Sequence, residues 1–70
     1  MDPYTADREK LVGRRFRASI NGKQETRTVF DYTFGGGVCY TSAGCKFTEW
    51  SGAKWDEWAR QAKDVTGKGR

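Results

Sequence analysis

The chain predicts an α+β domain in which four antiparallel strands form a curled sheet, flanked by a short N-terminal helix and a C-terminal amphipathic helix. Three observations lead there. Residues 14–34 alternate between polar and apolar around Asn21-Gly22-Lys23, the period of a half-buried hairpin. Two further short runs, Val38–Thr41 and Cys45–Trp50, flank the turn-forming Ser42-Ala43-Gly44. After Ser51 the apolar residues change to helical spacing. At 70 residues the chain is one domain, divided as 1–13 (short helix or arm), 14–50 (strands), 51–66 (helix) and 67–70 (basic tail).

Asp2-Pro3 has the form of a helix start, with proline at the first helical position, and Gly13 falls where a C-terminal glycine cap belongs. A short helix over Pro3–Val12 follows. Its apolar residues, Tyr4, Leu11 and Val12, are too few for stability without support from the sheet.

In the first hairpin Phe16, Ala18 and Ile20 alternate with Arg15, Arg17 and Ser19. In the second arm Phe30, Tyr32 and Phe34 share the parity of Thr26 and Thr28. A two-residue Asn21-Gly22 turn, the common type I′ choice, sets Phe16 opposite Arg27. A three-residue loop sets Ile20 opposite Gln24 and Phe16 opposite Thr28, and it alone keeps all the aromatic residues on one face, since a one-residue slip turns every side chain over. The three-residue loop is therefore expected, with Phe16, Ile20, Phe30 and Tyr32 beneath the sheet and Arg15, Arg17 and Arg27 together on the solvent face.

Gly35-Gly36-Gly37 lacks the Lys-Ser/Thr of a phosphate-binding loop and opens onto a strand, so it is read as a sharp corner where a strand changes sheet. Pairing Ser42 with Cys45 puts Val38, Tyr40, Cys45 and Phe47 on one face, and Cys39 with Lys46 and Thr48 on the other, which leaves two free thiols. With no histidine and two cysteines, only half of a tetrahedral zinc site is present. No metal or cofactor is expected.

Ser51 is a good N-cap. Trp50 and Trp55 have the spacing of a hydrophobic staple, and Trp55, Trp58, Ala59, Ala62 and Val65 form one helical stripe. Asp56 with Arg60, and Arg60 with Asp64, are spaced for weak pairs one turn apart.

Short strands, a glycine-rich corner and a closing helical element, over roughly residues 14–65, make the chain resemble SH3-like small β-barrels. Its compactness and aromatic density are similar to those of small proteins encoded by phages and other mobile elements. This likeness is one of style and carries over no functional residue.

A chain this short buries only about 60% of the surface of its unfolded form. Its three Trp, three Tyr and four Phe, each with roughly 150–250 Å² to bury, offset that shortfall. No apolar run approaches the roughly 20 residues needed to span a bilayer, and the N-terminus is unlike a signal peptide, so a cytoplasmic protein without membrane contact is expected.

The net charge is +4. Between Arg14 and Arg27 stand five cations and one anion, Glu25. A cluster of this kind holds a polyanion better than scattered charge does; the plainer alternative is a solvated face that keeps a small protein soluble. Catalysis finds no footing, because histidine is absent and the carboxylates Asp31 and Glu49 have no partner at a telling spacing. Asp31 is expected to balance Arg15 or Arg27 across the sheet. The expected activity is thus non-catalytic binding of nucleic-acid phosphates, DNA or RNA, by Arg15, Arg17 and Arg27, with Lys23 at the loop tip and Lys68 and Arg70 in the tail. The alternative is a protein-interaction module that sets the same cations against an acidic partner surface, as a phage-type inhibitor of a host protein or nucleoprotein complex (an anti-CRISPR or polymerase inhibitor) would. No small-molecule substrate is evident.

Overall fold

The computed structural model of the chain describes residues 1–67. Seven elements follow one another: α1 (Arg8–Leu11), β1 (Arg15–Ile20), β2 (Lys23–Tyr32), β3 (Val38–Ser42), β4 (Cys45–Glu49), α2 (Gly52–Ala59) and β5 (Ala62–Asp64). The strands form one antiparallel sheet in the order β4-β3-β2-β1-β5. It has five strands rather than the expected four. It remains open, with β4 and β5 as its edges, and does not close into a barrel.

The first hairpin takes the two-residue turn. Asn21 and Gly22 both have positive φ, 54° and 77°, the requirement of a type I′ turn, and Ile20 pairs with Lys23 and Phe16 with Arg27. The three-residue expectation is thereby corrected, for a reason that lies in Arg27. Its guanidinium carbon sits 4.4 Å from the centroid of Tyr40 and 4.2 Å from that of Trp58, and the group makes two hydrogen bonds to Glu25 of 2.8 and 3.2 Å. A planar cation stacks on aromatic faces and covers them with its stem. Arg27 therefore belongs to the core face.

The second aromatic set is also redistributed. A bulge between Val29 and Asp31 puts one extra residue into β2 and offsets its alternation. Val29 is buried, whereas Phe30 is 44% and Tyr32 46% exposed. Phe30 keeps the face of Thr28, which the two-residue turn directs away from the core, and beyond the bulge Tyr32 comes to the core side opposite Val38 at the sheet's margin. Phe16 lies in the core as expected, Ile20 packs at its rim, and Leu11, Ala18, Val29, Val38, Tyr40, Trp55, Trp58 and Ala59 complete it.

The second hairpin follows its expected register, with Ser42 opposite Cys45 and Tyr40 opposite Phe47. The Tyr40 and Phe47 rings stack at 5.5 Å, and both thiols are free. Thr33–Gly37 is a loop between two neighbouring strands of one sheet, not a change of sheet. It is closed by Thr33 N to Gly37 O at 3.0 Å and Gly37 N to Thr33 Oγ1 at 2.9 Å. A Cβ on Gly37 would stand 1.9 Å from the Glu49 carbonyl oxygen, so only glycine lets the loop lie against the end of β4.

Ser51 caps α2 by accepting from Lys54 N at 3.3 Å, and Trp55 and Trp58 are buried. Trp50 is 72% exposed, so no staple forms. The helix ends at Ala59 instead of continuing to 66, because Ala62–Asp64 satisfies the open edge of β1: Phe16 pairs with Asp64, Arg17 with Lys63 and Ala18 with Ala62. The pairs expected along the helix are replaced by longer-range ones, Asp56 with Arg8 and Asp64 with Arg14.

At the N-terminus α1 is a single turn, shorter than Pro3–Val12. The Pro3 carbonyl, which a helix there would use internally, accepts instead from Trp55 Nε1 at 2.9 Å and Arg8 Nη1 at 3.3 Å. Arg8 also donates to the Gly36 carbonyl at 2.6 Å. It thus ties the N-terminal arm, the glycine loop and α2 together. Among the described residues no helix is long and apolar enough to cross a membrane.

Candidate functional site

Because α1, α2 and the N-terminal arm cover one face of the sheet, the other is left bare among the described residues. The bare face is read directly from the pairing. One row crosses four strands, Arg15 (β1), Thr28 (β2), Thr41 (β3) and Lys46 (β4). The row beside it is Lys63 (β5), Arg17 (β1) and Thr26 (β2). On the far side of the first row stand Cys39 and Thr48, with Asp31 opposite Cys39. At about 4.8 Å between strands, Arg15 and Lys46 are about 14 Å apart along their row at the backbone.

Four cations, Arg15, Arg17, Lys46 and Lys63, therefore share a face whose one strand carboxylate is Asp31. Among the described residues none of the four enters an ion pair, whereas Arg8, Arg14 and Arg27 are each paired. Arg17 Nε donates to Thr26 Oγ1 at 3.2 Å, which steadies the side chain without neutralising it. Asp31 accepts from the Tyr32 amide at 2.8 Å and balances neither Arg15 nor Arg27.

Two depressions open on this face. One of about 490 Å³ is lined by Arg15, Arg17, Thr26, Thr28, Thr41 and Lys46 among others. The second, about 330 Å³, lies between Arg17, Ser19, Gln24, Gln61, Lys63 and Val65. Arg17 is a wall of both. The surface around it presents hydroxyls and cations, a combination suited to oxyanions.

Of the expected site residues, the structure brings Arg15 and Arg17 together on the bare face. Arg27 is on the opposite face, engaged with Glu25 and the aromatic core, and is withdrawn from the site. Lys23 is exposed beside the turn, but its pairing with Ile20 aligns it with the covered side. Lys68 and Arg70 lie outside the described residues. Lys46 and Lys63 were not foreseen as members. The sequence already places Lys46 opposite in parity to Val38 and Tyr40; what it does not show is that β3 lies next to β2, which brings Lys46 into the Arg15 row. Lys63 carries no such signal, since it falls in a stretch whose apolar spacing is helical.

Two groups have shifted acidities. Burial opposes ionisation of Asp64, yet hydrogen bonds from Thr66 and the guanidinium of Arg14 prevail and hold its pKa at about 2, below the usual 3.8. Burial raises the Tyr40 hydroxyl, against the lowering influence of Arg27. Both lie on the covered side, where they hold structure. No family model matches the chain, and neither a curated protein nor a solved structure matches it.

Proposed function

We propose that the bare sheet face binds nucleic acid through its phosphates, with Arg15, Arg17, Lys46 and Lys63 as the cationic contacts and Thr26, Thr28 and Thr41 as hydroxyl donors. The observation that carries this reading is a local cluster of charge: these four cations share one sheet face and among the described residues enter no ion pair, while Arg8, Arg14 and Arg27 do. Unpaired cations clustered in this way repel one another by an amount that a polyanion relieves. Arg17, shared by both depressions, is the central contact.

Salt titration of oligonucleotide binding tests the reading. Neutralising each phosphate releases counterions, so log K should fall with log salt at about −0.7 per contact on a single strand and about −0.9 on duplex DNA. Four contacts give a slope of about −2.8 on a single strand and about −3.6 on duplex DNA. Arg17→Ala should lower its magnitude by about one contact and weaken all sequences alike, because phosphate contacts carry no base information. Absence of binding at about 50 mM salt, where such contacts are strong, would refute it and leave an acidic protein surface as the partner for the same cations.

A further inference from the structure

We infer that the polynucleotide is single-stranded, and that it runs its phosphates over the Arg15, Arg17 and Lys63 side of the bare face while stacking a base on Phe30. This rests on the phosphate-binding reading above and adds to it the form of the nucleic acid and the place of its bases.

Shape gives the first reason. Five strands side by side span about 19 Å, too broad for a major groove about 12 Å wide. The cations moreover are spread across the flat of the sheet, from β5 through β1 to β4, and do not stand on a projecting ribbon or helix. A duplex would meet the surface only along one ridge of phosphates, whereas a single strand, with its bases free to turn, can lie flat against it.

Phe30 gives the second. It is the residue displaced at the β2 bulge, 44% exposed, on the same face as the unpaired cations. Lys46 Nζ stands 5.7 Å from its ring centroid. Since Arg15 pairs with Thr28, two residues before Phe30, Arg15 and Phe30 are diagonal neighbours about 7–8 Å apart. A phosphate on Arg15 therefore leaves its base within reach of the ring. Every base offers a π-face, so a platform of this kind serves without sequence preference.

Asp31 supplies the direction. Fixed by its bond from the Tyr32 amide next to Phe30, this carboxylate repels phosphates from the bulge end of the face. It drives the backbone toward β1 and β5, leaving the bases over β2 and β3. Thr26, Thr28 and Thr41 cover that area with short hydroxyl side chains that leave room for a base and can hydrogen-bond to its edge.

The test uses fluorescence anisotropy with labelled 12-nucleotide single strands of mixed sequence, DNA and RNA, and with a 12-base-pair DNA duplex at the same salt. Single strands should bind at least tenfold more tightly than the duplex. Phe30→Ala should weaken single-strand binding about tenfold while leaving duplex affinity and the salt slope unchanged. Phe30→Tyr should retain binding, and Phe30→Leu, which keeps apolar bulk without a π-face, should behave as the alanine variant; thermal melts confirm that each is folded. Duplex binding as tight as single-strand binding would overturn the inference and leave the phosphate reading standing. Undiminished binding by Phe30→Ala and Phe30→Leu would remove the stacking contact. Absence of binding to every oligonucleotide would instead overturn the phosphate reading itself.

Discussion

Arg17 and Arg27 are both half-buried strand residues on neighbouring strands, yet they serve opposite sides of the sheet. Arg27 lies against Trp58 and Tyr40 and is paired with Glu25. Arg27→Ala therefore strips cover from two core aromatics and leaves Glu25 unpaired, at a cost of about 2 kcal/mol. Arg17→Ala removes a half-buried cation that has no ion pair among the described residues and one bond to Thr26, and should change stability by less than about 0.5 kcal/mol. Thermal melts of the two variants check this, and equal losses would mean that the faces are wrongly assigned. Asp64 provides a second test. Its pKa of about 2 lies below the 3.8 of an unperturbed carboxylate, so its contribution is complete above about pH 4 and is lost as pH falls toward 2. Arg14, its partner, is 37% exposed, and screening there reduces the effect to about 1–2 kcal/mol. Asp64→Asn should flatten the acid limb of the stability–pH curve by that amount, measured by denaturant unfolding at pH 5 and pH 2.5. The Arg17 and Arg27 pair also shows where the sequence is legible. Arg15 and Arg17 alternate with buried Phe16 and Ala18, so their outward face is plain, whereas Arg27 is polar by composition and inward by geometry. Simple alternation assigns it wrongly because a guanidinium satisfied by Glu25 is an acceptable neighbour for indole.

Among the elements, β4 and the start of α2 were legible and β5 was not. Ser42 opposite Cys45 follows from keeping Tyr40 and Phe47 on one face, and Ser51 caps α2 by its side chain. Ala62 and Val65 continue a helical stripe after Ala59 only by coincidence of spacing. Their true role depends on the exposed edge of β1, which no local pattern reveals. The bulge at Phe30 is hidden for the same reason, since the alternation Thr26, Thr28, Phe30, Tyr32 reads as one regular strand. The Thr33–Gly37 loop makes a sharper demand. Gly37 packs against the backbone of Glu49 and Trp50 so closely that a methyl group would overlap it, at 1.9 Å from the nearest oxygen. Gly37→Ala should cost at least about 2 kcal/mol by separating β3 from the end of β4. Gly22→Ala, at a position with open space and only a positive φ to contend with, should cost about 1 kcal/mol. Chemical denaturation of both variants gives the comparison.

At the scale of the whole molecule, helices and N-terminal arm lie on one side of the sheet and the cluster of Arg15, Arg17, Lys46 and Lys63 on the other. Arg8 binds the arm, the glycine loop and α2 to one another through Pro3, Gly36 and Asp56, and the core uses up Arg27 and Arg14 in the same manner. Arg15 and Arg17 are joined on the uncovered face because β5 adds Lys63 at one edge and β4 adds Lys46 at the other. The alternation of sequence foretold an arginine-lined sheet face, but its membership depended on strand order and on a fifth strand. Whether this face meets nucleic acid is read from backbone amide shifts in nuclear magnetic resonance spectra as a 12-nucleotide single strand is added. The largest changes are expected at Arg15, Arg17, Thr26, Thr28, Phe30, Thr41, Lys46 and Lys63, with α2 and α1 nearly unmoved. Changes concentrated on α2 or around Phe34 and Trp50, with the Arg17 and Thr28 amides unmoved, would contradict binding at this face.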